Sequence, residues 1–135
     1  MNRRESREQA FALLFERSMN EDSIDHIIDN AGMARDLILS EFAEKLAMGA
    51  EAQESLIDAE IEKNIRGWKM NRLSKVALAL LRLAIYEMMF EDDIPVSVSN
   101  NEAVDLAKKY GGAEDAPFIN GVLGSVAKDL EQHDA

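Results

Sequence analysis

The sequence predicts an all-α fold, a compact bundle of six or seven helices, and three observations carry that expectation. Apolar residues recur at spacings of three and four almost throughout. Two-residue alternation is nearly absent, so strands have no pattern to form on. The chain has 135 residues, 47% of them apolar, with no compositional break, which is the size and content of a single domain over residues 1–135 with one core.

The opening segment predicts a helix over residues 5–19, with Ala10, Leu13, Leu14 and Arg17 along one side and Phe11 and Phe15 beside them. A shorter helix is expected over 23–30, ending at Gly32, a residue suited to the left-handed cap position. Between 34 and 65 the apolar positions Leu37, Phe42, Leu46, Leu56, Ile57, Ile61 and Ile65 form one helix, or two with a break near Gly49. The stretch 71–90, NRLSKVALALLRLAIYEMMF, is apolar around most of its circumference and leaves only Arg72, Lys75, Arg82 and Tyr86 as a polar strip. That pattern marks the central buried helix, with Asn71 as its N-cap. EDDIPVSVS then predicts an extended connector, because proline biases the residue before it away from the helical region. Ser99 and Glu102 have the spacing of a capping box for a helix ending at Gly111 and Gly112. A last helix starts between 115 and 117, where Pro117 costs least, and runs to about 130.

Charge is unevenly placed. The formal net charge is -11, yet the first nineteen residues carry Arg3, Arg4, Arg7 and Arg17 against Glu5, Glu8 and Glu16. Between 63 and 86 stand Lys63, Arg66, Lys69, Arg72, Lys75 and Arg82 with no acid at all. A local cationic patch on an acidic body can hold a short phosphate backbone at one place while the rest repels nucleic acid. The plainer reading of Arg3, Arg4 and Arg7 is a solvated helix start, paired with its own glutamates.

Enzyme chemistry has little material. His26 and His133 are the only histidines, no Glu-x-x-His pair occurs, and there is no Walker-type glycine loop. The chain has no cysteine, so neither a disulfide framework nor a thiolate metal site is expected. Glu91, Asp92 and Asp93 read as a solvated acidic run, and Met88 and Met89 as core filler. No apolar run approaches the roughly 18 residues of a membrane span, and no signal region opens the chain, so a soluble, cytoplasmic protein without membrane contact is expected. Residue chemistry alone reaches a helical binding or adaptor module.

Six segments then occur in a recognisable order: RRESREQAFALLFE at 3–16, FAEKLAMGAEAQESLIDAEI at 42–61, W-x-x-x-R-L at 68–73, LLRLAIYEM at 80–88, NEAVDLAKKYG at 101–111 and FINGVL at 118–123. In this order and register they resemble the NusB family over nearly the whole chain. The resemblance implies the all-helical NusB fold of two packed helical subdomains and a role in bacterial transcription antitermination, without catalysis and without a cofactor or metal. It implies as partners NusE, a small-subunit ribosomal protein, the boxA RNA of ribosomal RNA leader transcripts, and the transcribing RNA polymerase with other Nus factors. An RNA-independent adaptor or a homodimer is the alternative. A NusB-like domain also occurs ahead of a ribosomal RNA cytosine methyltransferase, for which this chain leaves no room.

By the same resemblance the RNA-binding residues are Arg3, Arg4 and Arg7 in the RR-x-x-R-E frame, with Phe15, Lys75, Asp115 and Phe118. Guanidinium groups suit phosphate, and Phe15 either stacks on an unpaired base or packs into the core. Arg82 either extends the basic surface or is a structural arginine paired with Glu87 or Glu102. Asn120 and Gly121 are expected to be structural, as a polar cap or a tight helix contact. Glu5 and Glu8 between the arginines, and Ala77 and Leu78 where relatives often carry charge, predict weaker RNA binding by the chain alone. The acidic body suits a basic ribosomal protein.

Overall fold

The computed structural model describes residues 2–35 and 39–134; the expected apolar position Leu37 lies outside them. Among the described residues there are seven α-helices and no strand: α1 (Arg3–Asn20), α2 (Ile24–Arg35), α3 (Glu41–Ala52), α4 (Glu54–Asn64), α5 (Lys75–Phe90), α6 (Val96–Tyr110) and α7 (Asp115–Asp134), with a single 3-10 turn, Met70–Arg72, before α5. No helix among them is long and apolar enough to cross a membrane.

Side-chain caps set several of the starts. Asn2, Ser40 and Ser74 each stand in extended backbone and accept a hydrogen bond from the amide three residues on, at 2.8, 3.0 and 3.0 Å. Each satisfies one of the helix's four orphan donors. Ser74, not Asn71, caps α5, because Asn71 is already inside the 3-10 turn. At the far end of α1, Glu21 adopts φ 61° and its amide donates to the Arg17 carbonyl at 2.7 Å, a left-handed cap made without glycine.

Three other boundaries differ from the expectation, each for a local reason. Helix α2 runs through Gly32 to Arg35. The segment after it does break into two helices, but at Gln53 and not at Gly49. Gly49 lies inside α3, where a Cβ would penetrate the ring of Tyr86 on α5, so its lack of a side chain serves close packing. Helix α6 starts at Val96 straight after Pro95, whose ring fixes φ at -59°, and in place of an extended connector the five residues 91–95 make turns. Ser99 therefore sits within α6 and caps nothing; its hydroxyl donates to Glu87 at 3.0 Å, while Glu102 reaches Arg4.

Helix α5 is the axis of the fold. It packs against α1, α3, α4, α6 and α7, while α2 rests on α1 and α3. Ten of its sixteen residues are buried, which explains its apolar circumference. Leu80, Leu81 and Ile85 meet Ala10 and Leu14 of α1, Leu46 of α3, Ile57 and Ile61 of α4, and Ile119 and Leu123 of α7 in one continuous core. These helices thus share a single hydrophobic interior through α5.

Inside that interior lies one ion pair. Arg7 of α1 is 4% exposed and Glu87 of α5 is 1% exposed. The Arg7 Nε donates to both carboxylate oxygens at 3.0 and 2.9 Å, and Nη2 donates to Oε1 at 2.9 Å. With the Ser99 hydroxyl on the same carboxylate, α1, α5 and α6 are tied at one point. Breaking such a pair leaves an uncompensated buried charge. Glu87→Ala should lower the free energy of unfolding in urea by about 3–5 kcal/mol. A loss below about 1 kcal/mol would mean that water or another group takes over the Arg7 charge.

Candidate nucleic-acid interface

The seven expected RNA-binding residues divide into three places. Arg3 and Arg4 lie exposed at the start of α1. The Arg3 guanidinium rests 4.4 Å from the centre of the Phe42 ring and 3.7 Å from Asp93. Arg4 reaches across to α6, where Nε donates to Glu102 at 3.1 Å and Nη2 to Asp105 at 3.2 Å, with 63% of its side chain still exposed. Both heads remain at the surface, where a phosphate can replace or join the carboxylates. Arg7 does not: it is enclosed on Glu87, so the third arginine of the frame holds α1 in place instead of presenting a cation. Its position was readable, since 7, 10, 11 and 14 form one helical stripe with Ala10, Phe11 and Leu14.

Phe15 lies twelve residues beyond Arg3, about 18 Å along the helix. There it is half-buried, with its ring 5.9 Å from Phe11, and it lines an open apolar groove with Leu39, Val76 and Tyr110. One side of the ring packs on the core, as the structural reading expects, and another borders the groove.

Lys75, Asp115 and Phe118 gather around the starts of α5 and α7. Ser74, immediately before Lys75, donates its hydroxyl to Asp115 Oδ1 at 3.0 Å, and the Gly112 amide donates to Oδ2 at 3.0 Å. Asp115 therefore staples the Gly111–Gly112 turn to the start of α5. A Cβ on Gly111 would fall 2.6 Å from its carboxylate, so that turn needs glycine there. One turn on, Phe118 packs edge-on against Trp68 with centroids 5.7 Å apart. Val76, on one side of Lys75, borders the Phe15 groove, and Ser74, on the other, is bonded to Asp115.

Cations on this surface are unusually free. Arg66, Lys69, Arg72 and Lys75 are all exposed, and none forms an ion pair among the described residues. The acid-free run from 63 to 86 carried that signal: with no acid in the segment, each partner must come from outside it. Only two of the six find one. Lys63 bridges Glu60 and Asp129 at 3.2 and 3.0 Å, and Arg82 holds Asp58 through two bonds of 2.9 Å and Glu54 at 3.3 Å. Arg82 is thus structural, but its partners lie on α4 and are not Glu87 or Glu102.

Asn120 and Gly121 differ from the expectation. Both are exposed on α7, and a Cβ on Gly121 would meet nothing within 4 Å, so neither a cap nor a tight helix contact accounts for them. On the other flank, Glu8 accepts a hydrogen bond from Lys109 at 2.6 Å and another from the Tyr110 hydroxyl. These bonds, Lys109 first, pull the Glu8 carboxyl below the usual glutamate range. Among the described residues no cluster of three or more His, Asp or Glu side chains could hold a metal ion. His26 faces Asn30 on α2, and the side chain of His133 lies outside the described residues.

The family model described as NusB family matches residues 4–128. The transcription antitermination protein NusB of Clostridium novyi (strain NT) is 44% identical over 132 residues, covering 95% of this chain and 99% of that protein. Among solved structures, NusB from T. maritima superposes with a TM-score of 0.83 at 32% identity over 100% of this chain and 99% of its own. A chain from a crystal structure of NusB and NusE in complex with dsRNA gives a TM-score of 0.83 at 27% identity, covering 94% of this chain and 96% of that one.

A carboxyl whose pKa is lowered on folding adds stability at higher pH that is lost as pH falls through the folded value. Glu8→Gln should therefore melt below the unsubstituted protein at pH 7, and the two melting curves should converge as the pH drops below the ordinary glutamate range. A gap that stays constant with pH would show that packing, and not the charge, is what Glu8 supplies.

Proposed function

The chain belongs to the NusB family, and we propose that it pairs with NusE, binds the boxA RNA of ribosomal RNA leader transcripts, and so helps RNA polymerase, with other Nus factors, to read through terminators in the bacterial cytoplasm. The observation that carries the RNA half of this reading is the Ser74–Asp115 hydrogen bond, which holds Lys75, Asp115 and Phe118 at the joined starts of α5 and α7, with Arg66, Lys69 and Arg72 as three further unpaired cations. Aromatic faces take unpaired bases, and the cations take the phosphates between them. Arg3 and Arg4 supply a second phosphate contact at the far end of α1. Arg7 works indirectly, by fixing the register of α1.

The protein half rests on charge. A net charge of -11 with ten of the fifteen cations in two segments leaves most of the surface acidic, which attracts a basic ribosomal protein and suppresses non-specific RNA contacts. The crystal structure of a similar NusB, in complex with NusE and dsRNA, supports a chain that engages both kinds of partner. The role is that of a binding factor, with no reaction assigned to it.

Fluorescence anisotropy of a labelled boxA RNA, with and without NusE and across salt, tests the reading. NusE should tighten binding, and Arg3→Ala/Arg4→Ala/Lys75→Ala should lower the slope of log K against log salt by about 2, at roughly 0.7 per phosphate contact on a single strand. No binding, or an unchanged slope in the triple variant, would favour an RNA-independent adaptor or homodimer.

A further inference from the structure

Beside Phe118 and Arg66 the surface continues into a second hollow, whose Trp68 and Lys128 none of the preceding assignments uses. It is a shallow groove of about 590 Å³ between the α4–α5 connector and α7. Its connector wall is Asn64, Arg66 and Trp68, and its α7 wall includes Asn120, Gly121 and Lys128. No carboxylate lines it, in a chain with 26 acidic residues. Arg66 and Lys128 are both exposed and make no ion pair among the described residues.

Three features make the groove suited to a ligand. Trp68 is 57% exposed, a large apolar area to leave in water, and its only ring partner among the described residues is Phe118 at an interplanar angle of 62°. An edge contact of that kind steadies the indole and leaves a face uncovered. On the opposite wall, Gly121 and Gly124 would each point a Cβ into open space, so the two glycines keep the backbone bare and the groove wide. The wall is also stiff: Ser125 donates to Asn64 Oδ1 at 2.6 Å, and Asn64 Nδ2 donates to the Glu60 carbonyl at 2.8 Å, which ties α7 to the end of α4.

We propose that this groove is a second RNA-contact surface, in which one unpaired nucleobase stacks on Trp68 while Arg66 and Lys128 hold the phosphates on either side of it. The inference extends the RNA-binding reading above and rests on it for the course of the strand, which reaches the groove past Phe118. The exposed amide of Asn120 offers both a donor and an acceptor to the base edge. Charge selects the occupant: a basic ribosomal protein would be repelled by two unpaired cations, whereas a phosphate backbone is attracted by them. Stacking on an aromatic face is tolerant of base identity, so the groove adds affinity for any unpaired flank and leaves sequence preference to other contacts.

Trp68 is the only tryptophan of the chain, so its emission has one source. The full chain titrated with a ten-nucleotide oligouridylate should show saturable quenching that weakens with salt. In anisotropy, Trp68→Ala should lower affinity for a boxA RNA carrying unpaired flanking nucleotides by about tenfold, in the range of a lost base stack. Trp68→Phe should recover most of it. Arg66→Ala/Lys128→Ala should reduce the salt slope by about 1. Unchanged circular dichroism, expected for so exposed a position, excludes misfolding. Quenching by oligouridylate with no preference for boxA would support the groove and overturn the boxA reading. BoxA binding with unchanged Trp68 emission and wild-type affinity in Trp68→Ala would leave that reading standing and overturn the groove. A change in Trp68 emission caused only by a protein partner, and not by RNA, would also overturn it.

Discussion

The ion pair between Arg7 and Glu87 is the constraint on which the placement of the other surfaces depends. Two buried charges are tolerable only in one geometry, with the guanidinium fork on the carboxylate and the Ser99 hydroxyl completing it. Apolar packing alone would allow α1 to slide or rotate along α5 at modest cost. The pair does not, so α1, α5 and α6 meet in a single register. Arg3, one turn before Arg7, is then set over Phe42, and Arg4, on the neighbouring line of the helix, is set over Glu102 and Asp105. The accessible cations at the amino end inherit their positions from one that is inaccessible.

Charge follows a consistent pattern across the rest of the molecule. Cations that join helices are saturated by acids from other elements: Arg17 on Glu51 and Glu54, Arg82 on Glu54 and Asp58, Lys45 on Glu91. Among the described residues the unpaired ones cluster around the connector before α5, as Arg66, Lys69, Arg72 and Lys75, with Lys108 on α6 and Lys128 on α7 beyond it. Surface ion pairs contribute little to stability, so pairing here matters chiefly as removal of cations from most of the surface. What is left positive is a narrow track on an otherwise acidic body.

The helices were legible because a 3.6-residue period is written in every one of them, and α5 was legible as the axis because apolar residues nearly encircle it. Boundaries were misread where a tertiary demand overrode a local signal. Ser99 and Glu102 spell a capping box, but Glu87 and Arg7 required the serine and Arg4 took the glutamate. Gly49 looked like a breaker because its reason, the Tyr86 ring, lies 37 positions away. In the candidate site, the family resemblance supplied Phe15, Lys75, Asp115 and Phe118, yet the convergence of the last three depends on the bond from Ser74 to Asp115, which spans 41 positions. Arg7 was grouped with its neighbours by motif, although its helical stripe and a lone glutamate within an apolar helix both pointed inward.

The contact between Gly49 and Tyr86 bears on how such a chain can change over generations. The ring occupies the volume that a side chain at 49 would need, and its hydroxyl donates to Glu91, so neither residue can be exchanged without regard to the other. A larger residue at 49 is admissible only after 86 has shrunk, while a shrunken 86 opens a void until 49 has grown. Lineages descending from this sequence are therefore expected to cross between the two solutions in paired steps, with either intermediate disfavoured, so that positions 49 and 86 vary together or not at all.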